Sequence, residues 1–244
     1  WRRILSYTRH DTLKEEGDGA PNMPKRLLFR LVLPLVVAVL ALSPLTAKNP
    51  LPKPAQSVQA LSWNGSNHCT ISSINDQSYL VVENTRKRAG LWLTAAHCVA
   101  QEQMFEIAGH PAFVVKADYL LDIAVMGTYD YALPRLEFST HAPEFGDFVE
   151  MYGHPLGWES IIYTKGYVAN PSMRENEMAA ESIWVALYSL LAAPGSSGSA
   201  VLDKHHKIVG VLQFAFHSGS FAEMSGGCTY QDLKAFVAPY LPEG

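Results

Sequence analysis

Only three cysteines occur in 244 residues, too few for a small domain held together by disulfides. There is no HExxH pair, no CxxC pair, no phosphate-binding glycine–lysine loop and no Rossmann glycine pattern, so the usual metal-hydrolase, zinc-ribbon and nucleotide-binding signatures are missing. No uncharged apolar run reaches the roughly 20 residues that a spanning helix needs. Internal repeats and low-complexity tracts are absent too. Charge is sparse at 17%, and the formal net charge of -4 conceals a split. Residues 1–47 carry seven Lys/Arg against four Asp/Glu, and residues 48–244 carry twelve against nineteen, so the first part is +3 and the rest -7. An acidic body without clustered cations cannot neutralise a row of phosphates, which argues against nucleic acid as a main partner.

The chain does contain 48% hydrophobic residues, 17 Gly and 15 Pro, a globular composition able to bury a core. Residues 1–22 precede the first Met and carry no interpretable pattern. After Met23, the basic flank Lys25, Arg26 and Arg30 leads into an apolar run from Leu31 to Leu42, broken only by Pro34, and then to Ser43-Pro-Leu-Thr-Ala47. That anatomy is a secretory signal cleaved after Ala47, or a retained anchor if Leu27 to Phe29 lengthen the run and Arg30 snorkels. Residues 27–42 are therefore the candidate for membrane association. The chain is expected to be secreted or periplasmic after cleavage, or otherwise membrane-anchored. Pro44, Pro50, Pro52 and Pro54 suggest a stiff linker. The expected division is a leader and linker over 1–57 and a folded domain over 58–244.

From about residue 60 onward, short runs rich in Val, Ile, Tyr and Phe alternate with turn residues, as in 78–82, 112–115, 123–126 and 208–214. This is the pattern of an all-β sandwich or barrel. One helix is expected, over Asp232 to Leu241, with Asp232 as its N-cap candidate and Leu233, Phe236 and Val237 on one face. The polar stretch 139–147 is a connector between two halves of similar size. Asn64-Gly-Ser66 fits a glycosylation acceptor, a triplet common by chance.

Three local patterns carry chemistry. Leu93-Thr-Ala-Ala-His-Cys98 puts a histidine after small residues at the end of an apolar strand, and Leu121-Asp-Ile-Ala-Val125 puts an acid just before a strand. Pro194-Gly-Ser-Ser-Gly-Ser-Ala200 brackets Ser197 with glycines two before and one after it. A nucleophilic serine on a tight turn needs a permissive residue at the first of those positions, so that backbone N–H groups can point at a developing oxyanion. Each pattern alone is commonplace, but they share one explanation. Asp118, followed by Tyr-Leu-Leu, is the rival to Asp122 but lacks the Asp-Ile-Ala-Val run. His205-His206, flanked by Lys204 and Lys207, are expected to be a solvated turn rather than a metal site, because neighbouring hairpin residues point to opposite faces.

Together these patterns resemble the trypsin/chymotrypsin-like serine proteases in the order His, Asp, Ser. The segments Tyr152-Gly-His-Pro-Leu-Gly157 and Lys165-Gly-Tyr-Val168 are similar to second-barrel segments of HtrA-like members, and the resemblance covers roughly residues 60–241. It implies two six-stranded antiparallel β-barrels, about 60–140 and 145–241, with a C-terminal helix, no cofactor and no metal. The implied partner is a protein or peptide substrate. The implied triad is His97, Asp122 and Ser197, with the N–H groups of Gly195 and Ser197 as the oxyanion hole. Substrate would be bound by Leu191, Gln213, Phe214, Ala215 and Gly227, none of them acidic, which favours an apolar or small residue before the scissile bond. Ser196 stands where the family commonly has an acid that pairs with a freed amino terminus, so activity is expected to need no such switch. Cys98 sits at a position the family commonly bridges. A bond to Cys69, leaving Cys228 free, and separately buried thiols are both open. A viral polyprotein-processing protease and an inactive binding module of the same fold are the alternative readings. No PDZ-like segment follows the domain in the sequence.

Overall fold

A computed structural model describes residues 50–82, 85–101, 104–174, 184–216 and 223–242. The expected signal or anchor segment lies outside them. Among the described residues, no helix is long and apolar enough to cross a membrane.

Strands β1 (Val58–Trp63), β2 (Ser66–Val82), β3 (Thr85–Thr94), β4 (Phe105–Ile107), β5 (His110–Asp118) and β6 (Ile123–Tyr129) close into an antiparallel barrel in the order β1-β2-β3-β6-β5-β4. Closure depends on long strands that bend. β2 pairs with β1 through residues 66–72 and with β3 through residues 72–82, its register shifting at Ser73 and Asn75. The Asn64-Gly65 turn that starts it has positive φ at both residues, the geometry of a two-residue hairpin whose twist matches its strands. β6 is an unbroken buried run from Ile123 to Thr128. Trp92, fully buried, gives its indole N–H to Thr128 Oγ1 at 2.9 Å, so burying the ring leaves no orphan donor.

The second half is a seven-stranded sheet that curls on itself. It comprises β7 (Phe148–Gly153), β8 (Ile162–Arg174), β9 (Trp184–Tyr188), β10 (Ala200–Asp203), β11 (Ile208–Val211), β12 (Phe214–Ala215) and β13 (Ser225–Cys228). Its order is β11-β10-β7-β8-β9-β13-β12. The expected second six-stranded barrel is thus a curled sheet with one strand more. The extra strand arises because the apolar run 208–214, which reads as one strand, breaks at Leu212. Leu212 N–H still bonds Ser199 O at 2.9 Å, whereas Gln213 N–H crosses to Gly226 O at 2.9 Å. The chain leaves one edge there and joins the other.

Helix α1 (Tyr230–Val237) starts earlier than periodicity suggests. Its N-cap is Thr229, whose hydroxyl oxygen accepts from Asp232 N–H, so Asp232 is the third helical residue of a capping arrangement and not the cap itself. Leu233 and Val237 are buried as the pattern requires, in a core that Ala55, Leu93, Ile123, Leu202 and Cys228 share across both halves. Ala55 belongs to a 3₁₀ turn over Pro54–Ser57, so the packed body starts within the proline-rich stretch.

Candidate active site

The end of β3 delivers His97. After Thr94 the chain turns into a 3₁₀ segment, Ala96–Val99, that buries Ala96, Cys98 and Val99 and leaves His97 exposed. Small residues at 95 and 96, both fully buried, let the turn pack this closely. Asp122 meets His97 from the start of β6. Its Oδ2 lies 2.7 Å from His97 Nδ1, and its Oδ1 accepts the backbone N–H of His97 at 2.7 Å. One carboxylate therefore fixes both the ring and the peptide of the histidine. Asp118 is occupied elsewhere: its Oδ1 caps the N–H groups of Leu120 and Leu121, both at 3.0 Å.

Asp122 holds that position in a left-handed conformation, φ 52°, which costs a non-glycine residue of order 1 kcal/mol and must be held by its surroundings. Gln213 does the holding. Its Nε2 donates to Leu121 O (2.8 Å) and Asp122 O (2.9 Å), while its Oε1 accepts Cys228 N–H at 2.8 Å. All its polar side-chain bonds point into the fold, and the residue is 8% exposed. Gln213 thus braces the backbone that carries the Asp122 carboxylate, a role that only its place beside β6, invisible in the sequence, reveals.

The Ser197 loop is bonded at every carbonyl from 194 to 197. Pro194 O accepts Leu156 N–H (2.6 Å), Gly195 O the Thr70 hydroxyl (2.9 Å), Ser196 O the Ser199 N–H (3.0 Å) and Ser197 O the Thr70 N–H (2.9 Å). Ser196 N–H bonds Ala193 O at 2.9 Å and Gly198 N–H bonds Leu212 O at 2.7 Å. Among the described residues, the N–H groups of Gly195 and Ser197 have no acceptor within the protein. Both glycines are required. Gly195 has φ 92°, and a Cβ there would sit 2.7 Å from His154 O. Gly198 has φ 87°, and a Cβ there would collide with Thr70 O and Thr94 Oγ1. Position 199 has no positive φ, so the serine there is accommodated.

The loop lies against the His97 turn, with Cys98 Sγ 4.0 Å from Ser197 O. Among the described residues no hydrogen bond joins Ser197 Oγ to His97, a separation common in sites without a bound substrate. Cys69 and Cys98 form a disulfide across 29 residues of sequence, which decides between the bridge and separately buried thiols. A loop of that length stabilises the fold by about 3–4 kcal/mol in the chain-entropy account. The bond ties β2 to the His97 turn. It also occupies two donors of the one metal-like cluster among the described residues, Cys69, His97 and Cys98. The third cysteine, Cys228, is buried and its thiol is pushed up to about 12, mainly by desolvation.

The resemblance implies a specificity pocket at Leu191, Gln213, Phe214, Ala215 and Gly227. Leu191 is 65% exposed and lines a small apolar cavity of about 80 Å³ with Met151, Ile162 and Ala193. Gln213, Phe214, Ala215 and Gly227 do not contribute to it. Phe214 and Ala215 form β12 against β13. A side chain at Gly227 would meet Val211 O and Gln213, whereas Gly226 is the glycine that faces the Phe214 ring. His206, expected in a solvated turn, places Nδ1 2.6 Å from Oε1 of the buried Glu150, whose other oxygen accepts from Tyr163 at 3.1 Å.

His154 beside the loop makes a pH-dependent contribution. It is 5% exposed, its Nδ1 faces Trp158 O at 3.0 Å, and its buried Nε2 has no partner. A carbonyl only accepts, so Nδ1 carries the proton of the neutral ring, and a second proton on Nε2 would be buried without an acceptor. Desolvation therefore lowers its pKa below 6.5, with the bond to Trp158 opposing. The unfolded chain binds that proton more readily, so the stability from this residue is present above the unfolded value and falls as pH drops through it. Thermal unfolding from about pH 8 to pH 5 is expected to show a falling Tm. His154→Asn, whose amide nitrogen can serve Trp158 O, should flatten that slope.

A closed six-stranded barrel and a curled sheet that hold an imidazole–carboxylate pair beside a glycine-bracketed serine define the chymotrypsin-like fold. The family described as trypsin-like peptidase domain matches residues 80–211, more than half of the chain. The chain belongs to that family and carries a peptidase domain. Among solved structures it is similar to the Rv3671c protease in an inactive form, at 19% identity and TM-score 0.59, covering 76% of this chain and 89% of that one. It is likewise similar to a serine-to-alanine mutant of Rv3671c from M. tuberculosis H37Rv, also an inactive form, at 20% identity and TM-score 0.60, covering 78% and 91%. No curated protein sequence matches it.

Proposed function

We propose that this protein is a serine endopeptidase in which Ser197 is the nucleophile, His97 the general base and acid, and Asp122 the residue that orients the imidazole. Ser197 Oγ attacks the peptide carbonyl carbon as His97 Nε2 takes its proton. The carbonyl oxygen gains negative charge between the N–H groups of Gly195 and Ser197, and the tetrahedral intermediate collapses as His97 protonates the leaving amine. Water then repeats the sequence on the acyl-enzyme. The observation that carries this reading is the bonding of the loop: with its carbonyls occupied, the Gly195 and Ser197 N–H groups are left over beside a carboxylate-bound histidine. Preorganised donors of this kind cost no reorganisation when charge develops.

The hole needs no charged amino terminus in this proposal. Ser196, 2% exposed, accepts Ala193 N–H on its own hydroxyl at 3.3 Å. A freed terminus found beside Ser196 on activation would overturn that part. The residue before the scissile bond is apolar or small, because no carboxylate stands at 191, 214, 215, 226 or 227. Cleavage of a peptide library is expected to show that preference, and a strict Arg/Lys preference would refute it. Residues 25–47 act as an export signal or anchor ahead of the domain, supported by the basic flank and apolar run.

The test is labelling with a fluorophosphonate probe. Wild type is expected to become covalently labelled at Ser197, and Ser197→Ala to remain unlabelled. Persistent labelling of the variant would reassign the nucleophile. No labelling of wild type would favour an inactive binding module.

A further inference from the structure

Thr70 sits on β2 of the first barrel, far in sequence from the Ser197 loop, yet every polar group it has is committed to the active-site region. Its N–H donates to Ser197 O at 2.9 Å, and its hydroxyl donates to Gly195 O at 2.9 Å. That hydroxyl oxygen accepts the backbone N–H of His154 at 2.9 Å, and its carbonyl accepts the Thr94 hydroxyl at 2.8 Å. The residue is fully buried. A hydroxyl has one proton to give, and here it goes to Gly195 O, with the oxygen's acceptor side filled by a donor that cannot turn away.

The geometry of Gly195 explains why this matters. Glycine at φ 92° has little intrinsic preference for that conformation, so the peptide before it can rotate and carry its N–H out of the hole. Three bonds oppose the rotation. Leu156 N–H holds Pro194 O on the incoming peptide, while the Thr70 hydroxyl holds Gly195 O and Ala193 O holds Ser196 N–H on the outgoing one. Ser196 has no charge with which to do the same.

We infer that Thr70 is a positioning residue for the oxyanion hole, and that its hydroxyl, held by His154 N–H, fixes from the first barrel the peptide that leaves Gly195, so that the glycine keeps the conformation in which the incoming peptide, held by Leu156, aims the Gly195 N–H at the oxyanion. This rests on the serine endopeptidase reading. Thr70 touches no reacting atom and acts through Gly195.

Thr70→Val keeps the shape and the N–H to Ser197 O and deletes only the hydroxyl. Thr70→Ser restores it. A fluorophosphonate probes the site whatever its peptide preference: the Ser197 Oγ–P bond forms, the P–F bond breaks, fluoride leaves, His97 takes the serine proton, and the phosphoryl oxygen lies in the hole. In the full chain, Thr70→Val is expected to lower the maximal labelling rate, kinact, about 10- to 100-fold, somewhat less than the loss of a whole donor. The half-saturating concentration KI should change less than about three-fold, because the clamp serves the developing charge and not ground-state binding. Thr70→Ser should recover kinact to within about three-fold of wild type, as the same donor returns. A Thr70→Val enzyme that labels like wild type would overturn the inference, as would one whose loss is entirely in KI or is not recovered by Thr70→Ser. If Thr70→Val does not fold, as judged by thermal unfolding, Thr70→Ala against Thr70→Ser makes the same comparison. Failure of wild type to label would instead overturn the endopeptidase reading, so the two failures are distinguishable.

Discussion

Ser197→Ala is expected to lower kcat on a cleaved peptide by about a million-fold, the largest effect of any single substitution in this chain. The expectation follows from what the change leaves untouched. Ser197 N–H, the proposed hole donor, and Ser197 O, which accepts from Thr70, belong to the backbone and survive the substitution. Removing one partly exposed hydroxyl with no bond to His97 should move stability by less than about 0.5 kcal/mol. The loss must then be chemical: without Oγ there is no acyl-enzyme, and the residual rate, about a thousand-fold or more over water, is that of the hole and binding alone. Measuring kcat alongside Tm checks both halves. A variant that keeps more than about a hundredth of wild-type kcat while folding normally would remove Ser197 from the mechanism.

Asp122→Asn is expected to lower kcat by about ten-thousand-fold with little change in KM. The direction comes from the two bonds the carboxylate makes. Oδ1 faces the backbone N–H of His97, which can only donate, so the asparagine must put its carbonyl oxygen there. Its NH₂ group then faces His97 Nδ1, where Oδ2 lies 2.7 Å away in the wild type. Two donors cannot share that contact, so Nδ1 becomes the acceptor and the ring proton moves to Nε2. A protonated Nε2 cannot take the proton of Ser197. Fold and substrate binding stay intact, because the backbone carbonyls of Leu121 and Asp122 remain held by Gln213. The measurement is kcat and KM from pH 6 to 10, where hydroxide partly replaces the missing base and the deficit should narrow as pH rises. A deficit below about ten-fold at neutral pH would mean that Asp122 does not set the tautomer.

How far the sequence carried the reading differs from one element to the next. Alternation of apolar and turn residues is a local property, and it sufficed for an all-β chain, since a strand that buries one face writes its period into the residues themselves. The break of 208–214 into β11 and β12 was not legible. Both pieces are apolar, and what separates them is a change of hydrogen-bonding partner at Leu212 and Gln213. The start of α1 was missed by two residues because the cap is Thr229 and the acid that resembled it is three positions later, in the role that completes the same motif. Motifs around His97, Asp122 and Ser197 were legible because each packs its requirement into adjacent residues: small neighbours for a tight turn, a strand after the acid, glycines where φ is positive. The bracing of the Asp122 backbone by Gln213 was not legible, since the two meet across 91 residues of sequence.

By itself, then, the sequence determined the family, the all-β class, the charge split of +3 over residues 1–47 and -7 over residues 48–244, and the residues proposed to carry the chemistry. Only the tertiary structure decided how those residues are held. Three cysteines in a list do not state a pairing, and the Cys69–Cys98 bond exists because β2 runs beside the His97 turn. Thr70 carries no motif, yet four hydrogen bonds make it the strut between the first barrel and the Ser197 loop. The physical reason is one of range. Propensity, turn chemistry and burial period act over a few residues and are written locally, whereas the Pro194 and Gly195 carbonyls of the Ser197 loop are held by donors 38 and 125 residues away, which meet them only after both halves have folded.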